Sequence, residues 1–210
     1  MEWLEGEDLY DRLERQGLTV AEGVAVARRV CEALGAAHAR GIIHRDIKPP
    51  NVFLPDGDVG RARVLDFGIA RTARGARALT RTGAVLGTPG YMAPEQVRGE
   101  RDIDARADLF SVGCLLFECL AGRPAFEGDT PVAILTRILI DQAPRVSTVR
   151  TDIPSALDDL VARLTARRRE DRPASAEEVI AALDALGALD GLHAPVVSAP
   201  MHGITLGEQR

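Results

Sequence analysis

Val20, Val24, Ala27, Val30, Leu34 and Ala37 recur every three or four residues, an apolar stripe that predicts one long helix. Thr19 ahead of the stripe, with Glu22 three residues on, has the spacing of a capping box, and Gly41 predicts the stop. Upstream, residues 7–15 read as a short helix ended near Gly17. After Gly41 the period changes. Ile42-Ile43, Val52-Phe53-Leu54 and Arg63-Val64-Leu65 are too short for helices and are punctuated by Pro and Gly, so they read as short strands, with Pro55-Asp56-Gly57-Asp58 as a turn. Residues 69–92 show no apolar period and hold several Gly, Thr and Arg, which predicts a long loop of the kind that usually carries function.

Helical patterning returns at Asp104, a candidate cap. The run it opens is apolar nearly all round through about Leu120, so that helix is expected to be buried. Thr130-Pro131 reads as an N-cap followed by proline at the first helical position. Ser155 with Asp158, and Ser175 with Glu178, read as two more helix starts. From about Leu189 the chain turns to Gly, Pro and Ser, which predicts a frayed tail at 188–210 behind a domain at 1–187. The expected fold class is α+β, mainly α: a helical body with a few short β-hairpins around one polar loop.

Composition adds constraints. The 210 residues suit one domain, and 46% hydrophobic content is enough for a core that 4% aromatics makes mostly aliphatic. A formal net charge of −5 argues against nucleic acid as a bulk electrostatic partner. Three cysteines, Cys31, Cys114 and Cys119, have no metal-like spacing and read as reduced core residues. The acidic start has no apolar signal region, and no apolar run approaches the roughly 20 residues of a membrane span, so a cytoplasmic location is expected.

The stretch HRDIKPPN, His44 to Asn51, carries more chemistry than a structural loop needs. Asp46 and Asn51 share the loop that enters the Val52-Phe53-Leu54 strand, and Asp66 follows the Val64-Leu65 strand directly. Asn51 and Asp66, oxygen ligands at the ends of neighbouring strands, suit Mg²⁺, a hard cation. Asp46 is then a carboxylate left to orient or deprotonate a hydroxyl, and Lys48 a cation for phosphate. These are the parts of phosphoryl transfer, which depends mostly on positioning and charge neutralisation.

Three motifs in order, His44-Arg45-Asp46 with Asn51, Asp66-Phe67-Gly68, and Gly87-Thr88-Pro89-Gly90-Tyr91-Met92-Ala93-Pro94-Glu95, make the chain resemble the helical C-terminal lobe of a protein kinase. The closest resemblance is to bacterial, eukaryotic-like serine/threonine kinases. It runs from residue 1 to about 187. It implies a protein kinase-like fold, ATP and Mg²⁺ as cofactors, and protein substrates phosphorylated on Ser or Thr. By the same resemblance Asp46 is the base, Lys48 contacts the phosphoryl group, and Asn51 and Asp66 hold Mg²⁺. Thr88 bridges toward Asp46 and Lys48, and Glu95 pairs with Arg172. Asp108 braces the catalytic loop from the central buried helix, and His44 and Phe67 join the packed spine beside Gly68. Arg45 implies control by phosphorylation of the activation loop, with Thr80 and Thr82 as autophosphorylation candidates and Thr72 a weaker one.

The resemblance has gaps. MEWLEG, residues 1–6, is similar to the family's hinge, which places Glu2 and Leu4 against adenine with Phe53 as the floor of the pocket. No glycine-rich loop and no VAIK-like lysine precede it in this sequence. Three explanations stand side by side: a gene model that starts at an internal methionine, an inactive remnant serving as a binding or scaffold module, and a second polypeptide or self-association that supplies the missing lobe. Small-molecule phosphotransferases of similar fold share the H-x-D loop, but are not expected to carry Gly87 to Glu95 or the Glu95/Arg172 pair.

Overall fold

The computed structural model describes residues 5–66 and 89–187. Thr19 opens the longest helix, α2 (Val20–His38), as the capping-box spacing requires. Its hydroxyl accepts the Glu22 N–H at 3.1 Å, and the Glu22 carboxylate accepts the Thr19 N–H at 2.8 Å. Ahead of it lies α1 (Leu9–Gln16), begun by Asp8, whose carboxylate accepts the Asp11 N–H, and ended at Gly17. The described residues also form α3 (Pro94–Val97), α4 (Arg106–Ala121), α5 (Pro131–Ile140), α6 (Ser155–Leu164) and α7 (Ala176–Gly187).

Helix α4 is the axis of the body. Of its residues, Arg106, Glu118 and Ala121 alone escape full burial. Helices α2 and α6 pack against it, and α7 packs on α2. Phe110 and Phe117, both without exposed surface, each contribute about 1.5–3 kcal/mol through burial. The three cysteines are buried in this core; desolvation pushes the Cys31 thiol up to about 12 and the Cys114 and Cys119 thiols higher still, so all three stay protonated.

Gly113 sets the spacing between α4 and α6. A Cβ there would sit 2.7 Å from Leu164 Cβ and 2.9 Å from Thr165 Cγ2. Alanine gains about 1 kcal/mol in helix propensity over glycine, but overpacking costs about 1–3 kcal/mol. Gly113→Ala is therefore expected to lose stability in urea denaturation despite the better helix former. A more stable variant would show that the two helices part freely.

A three-stranded antiparallel sheet, β1 (Gly6–Asp8), β2 (Val52–Pro55) and β3 (Arg63–Val64), lies beside the helices in the order β1-β2-β3. Gly6 pairs with Pro55 and Asp8 with Phe53. A Cβ on Gly6 would meet the Leu54 carbonyl oxygen at 2.3 Å and the Phe53 ring at 2.9 Å, so only glycine lets β1 come this close.

Several expectations shift. Ile42-Ile43 is not a strand: it runs in coil after the α2 terminus, with Ile42 44% exposed, and no edge among the described residues pairs with it. The helix expected at 7–15 begins two residues later, since Glu7 and Asp8 are taken into β1. Asp104 accepts the Arg106 N–H at 2.9 Å but lies two residues before the start of α4, and Ala105 holds the cap position. Ser155 is the first residue of α6 rather than its cap, a place held by Pro154. Thr130 and Pro131 stand as expected, Thr130 accepting the Ala133 N–H. Ser175 caps α7, accepting the Glu178 N–H at 3.3 Å. Of the loop expected at 69–92, Pro89–Tyr91 forms a 3-10 turn and residues 69–88 lie outside the described residues, as does the tail at 188–210.

Candidate active site

The loop between α2 and β2 is fixed by a carboxylate from the core. Asp108, on α4 and without exposed surface, accepts three hydrogen bonds: from the His44 N–H (2.8 Å) and the His38 Nε2–H (2.8 Å) on Oδ2, and from the Arg45 N–H (2.7 Å) on Oδ1. Such a buried acceptor is stable only because it is fully engaged. The bonds hold Arg45 at φ 66°, a left-handed conformation that a non-glycine residue rarely adopts. His44, also fully buried, donates from Nε2 to the Leu65 carbonyl at 3.0 Å and accepts the Asp46 N–H on Nδ1 at 3.3 Å. The loop is thereby tied to the segment that leads into Asp66.

Beyond this brace three polar side chains converge. Asp46 Oδ2 lies 3.1 Å from Lys48 Nζ and accepts from Asn51 Nδ2 at 3.2 Å; the same amide nitrogen donates to the Asp46 carbonyl at 2.7 Å. Asn51 ends a 3-10 turn at Pro49–Asn51, and its carbonyl accepts the Leu65 N–H at 2.9 Å. With Nδ2 spent on Asp46, the asparagine Oδ1 is the atom that suits a hard cation. Asp66 is exposed at the end of the strand pair, at φ 51°. The Asp66 carboxylate and the Asn51 amide oxygen, with no soft donor between them, fit Mg²⁺ by donor chemistry. Phe53 is half-buried on β2, beside Gly6.

The segment that follows is anchored in the same core. Arg172 donates to both oxygens of Glu95, at 2.7 and 2.9 Å, with each residue 4% exposed or less. The guanidinium also donates to the carbonyls of Ala166, Arg106 and Arg167 and lies 5.0 Å from the centre of the Phe110 ring. Its charge and its donors are thus satisfied where they are buried.

Two participants carry no obvious signal in the sequence. His38 reaches Asp108 from the end of α2, and Gln96 on α3 donates to the Arg45 carbonyl at 3.1 Å while its Oε1 accepts the Ala93 N–H. For His38 the cue is a polar ring six residues before His44 on a helix whose other inward positions are apolar or glycine. Gln96 follows Glu95 directly and looks like a surface residue. Glu2, Leu4, Phe67, Gly68, Thr72, Thr80, Thr82 and Thr88 lie outside the described residues.

Comparison with known proteins points the same way. The model of the protein kinase domain matches residues 1–182. The chain is 43% identical over 188 residues to serine/threonine-protein kinase PknL of Mycobacterium tuberculosis, covering 89% of this chain and 46% of PknL. It is 41% identical to PknD of the same organism, over 89% of this chain and 28% of PknD. To PknH of Mycobacterium bovis it is 40% identical, over 92% of this chain and 32% of PknH. The chain therefore spans less than half the length of these relatives. With the catalytic-loop geometry and a match over most of its residues, the chain belongs to the protein kinase domain family.

Proposed function

We propose that this chain is the hinge and helical lobe of a serine/threonine protein kinase, transferring the γ-phosphate of ATP to Ser or Thr hydroxyls of proteins. The observation that carries the reading is the convergence of Asp46, Lys48 and Asn51 on a loop braced by the buried Asp108. Asp46 orients the substrate hydroxyl and takes its proton as the oxygen attacks phosphorus. Lys48, 3.1 Å from Asp46, places positive charge where the transferred group passes. Asn51 and Asp66 would hold Mg²⁺, which supplies charge neutralisation to the phosphates when bound. Glu2 and Leu4 would meet adenine through backbone groups above Phe53.

Arg45 Nε is buried and has no hydrogen-bond partner among the described residues. That donor supports a role in receiving a phosphate from the activation segment, with Thr80 and Thr82 as the sites. The substrate-side bridge from Thr88 belongs to the same reading.

The test is transfer of label from γ-labelled ATP with Mg²⁺ by the native gene product, offered a generic protein substrate, an aminoglycoside and choline in parallel. Label on Ser or Thr of the protein is the expected result. Label on the small molecules alone would overturn the reading.

A further inference from the structure

Arg45, directly ahead of the proposed base, is held from two sides. Its N–H donates to Asp108 Oδ1 on α4 at 2.7 Å, and its carbonyl accepts from Gln96 Nε2 on α3 at 3.1 Å. At φ 66° a non-glycine residue stays in place only where its surroundings hold it. The Asp108 bond fixes the peptide that precedes Arg45. The Gln96 bond fixes the peptide that follows, which leads into Asp46. That same peptide carries the Asp46 N–H, which meets His44 Nδ1 at 3.3 Å. This is a long hydrogen bond, so of these two contacts the one from Gln96 constrains the peptide plane more.

The Gln96 amide has one possible orientation. Its Oε1 accepts the Ala93 N–H at 2.9 Å, so Nε2 must face the Arg45 carbonyl. Reversing the amide would set donor against donor and acceptor against acceptor. The side chain is 7% exposed, where a lost bond is costly. Helix α3 is only four residues long, but its neighbours secure it. Pro94 is buried at its first position, and Glu95 is bound through both oxygens to Arg172. The Arg45 carbonyl is thus referred through Gln96 and Glu95 to the core arginine. An aliphatic residue of similar size could fill the same space, but it would make neither bond.

We propose that Gln96 is a positioning residue for phosphoryl transfer: its amide fixes the Arg45–Asp46 peptide plane and thereby aims the Asp46 carboxylate. Lys48 and Asn51 meet the far end of that side chain, whereas Gln96 sets where its backbone starts. Gln96 touches no reacting atom. Through it, residues 89–97 and the catalytic loop form one unit. The proposal rests on the kinase reading for its effect on transfer, but the hold on the loop does not need that reading.

Two variants test it. Gln96→Met keeps the length of the side chain and loses both bonds. Gln96→Glu keeps an acceptor for the Ala93 N–H but turns a carboxylate oxygen toward the Arg45 carbonyl. Thermal unfolding checks that each is folded at the assay temperature. In the full 210-residue chain, hydrogen exchange at the Asp46 amide, followed by NMR at neutral pH, should be about tenfold faster or more in both variants. In the native gene product, kcat should fall about 10–100-fold in both, with KM for ATP little changed. The pH profile separates positioning from general loosening. Burial and the facing carbonyl both favour the acid form of the new carboxyl, so its pKa lies above the usual carboxylate range. As pH falls through that value the acid regains an O–H that can donate to the Arg45 carbonyl. The kcat of Gln96→Glu relative to wild type at the same pH should then rise, while the ratio for Gln96→Met stays flat. Unchanged Asp46 exchange, kcat near wild type in both variants, or a flat ratio for Gln96→Glu would each overturn the proposal. A wild-type protein that transfers no phosphate would sink the kinase reading, and the exchange measurement alone would then decide whether Gln96 holds the loop.

Discussion

Asp46→Asn is expected to slow phosphoryl transfer by about 10²–10⁴-fold, the range for removing a positioned general base, without unfolding the protein. The substitution is isosteric. An amide oxygen can still accept from Asn51 Nδ2, and the bond from Asn51 to the Asp46 carbonyl is untouched. What is lost is the negative charge facing Lys48 and the capacity to take a proton. The loss should therefore fall on kcat, with KM for ATP little changed, because the interaction matters when the hydroxyl attacks and not when nucleotide binds. Asp66→Asn should be as damaging by a different route. On the proposed reading it removes a carboxylate that would hold Mg²⁺, so its defect should respond to added Mg²⁺, whereas that of Asp46→Asn should not. Steady-state kinetics at several Mg²⁺ concentrations separate the two, and near wild-type rates in either variant would sink the assignment of roles.

Glu95→Ala is expected to cost about 3–5 kcal/mol of stability, the penalty for leaving a buried charge without its partner. Arg172 would keep its bonds to the carbonyls of Ala166, Arg106 and Arg167, but those dipoles cannot replace a bidentate carboxylate at a site with no exposed surface on the arginine side chain. Replacing both residues, Glu95→Leu with Arg172→Met, should recover much of the loss, because no charge is then stranded. Urea denaturation measures both. The single change should also lower transfer, since Glu95 adjoins Gln96, which bonds to the Arg45 carbonyl. A Glu95→Ala protein within about 1 kcal/mol of wild type would mean that Arg172 reaches water in a way its burial does not suggest.

The elements that can be read from the sequence are those set by local chemistry. Thr19 with Glu22, and Thr130 with Pro131, cap their helices because both partners of each cap lie within one turn. The all-round apolar run at 109–120 is the core helix because nothing else could bury it. Elements set by distant partners were less legible. Gly6–Asp8 is a strand only because β2 lies beside it, and three residues are too few for alternation to show. Ile42-Ile43 has the composition of a strand but no edge to join among the described residues. The site divides in the same way. HRDIKPPN announces Asp46, Lys48 and Asn51 within eight residues, whereas the tie between Arg172 and Glu95 spans 77 positions and emerged only through the family resemblance. His38 and Gln96 act through single hydrogen bonds that leave no periodicity behind them.

The brace from Asp108 has a consequence for how the molecule is made. A ribosome delivers His44 and Arg45 long before Asp108, 64 and 63 residues further on, and Gln96 arrives between them. Until α4 emerges, the Asp108 bonds that fix His44 and Arg45 are missing and only the Gln96 bond to the Arg45 carbonyl can form, too little to hold Arg45 in its left-handed conformation. On the kinase reading, transfer therefore awaits completion of the core behind the loop, and a chain stalled during synthesis before residue 108 is expected to carry every motif of the loop and still be inert.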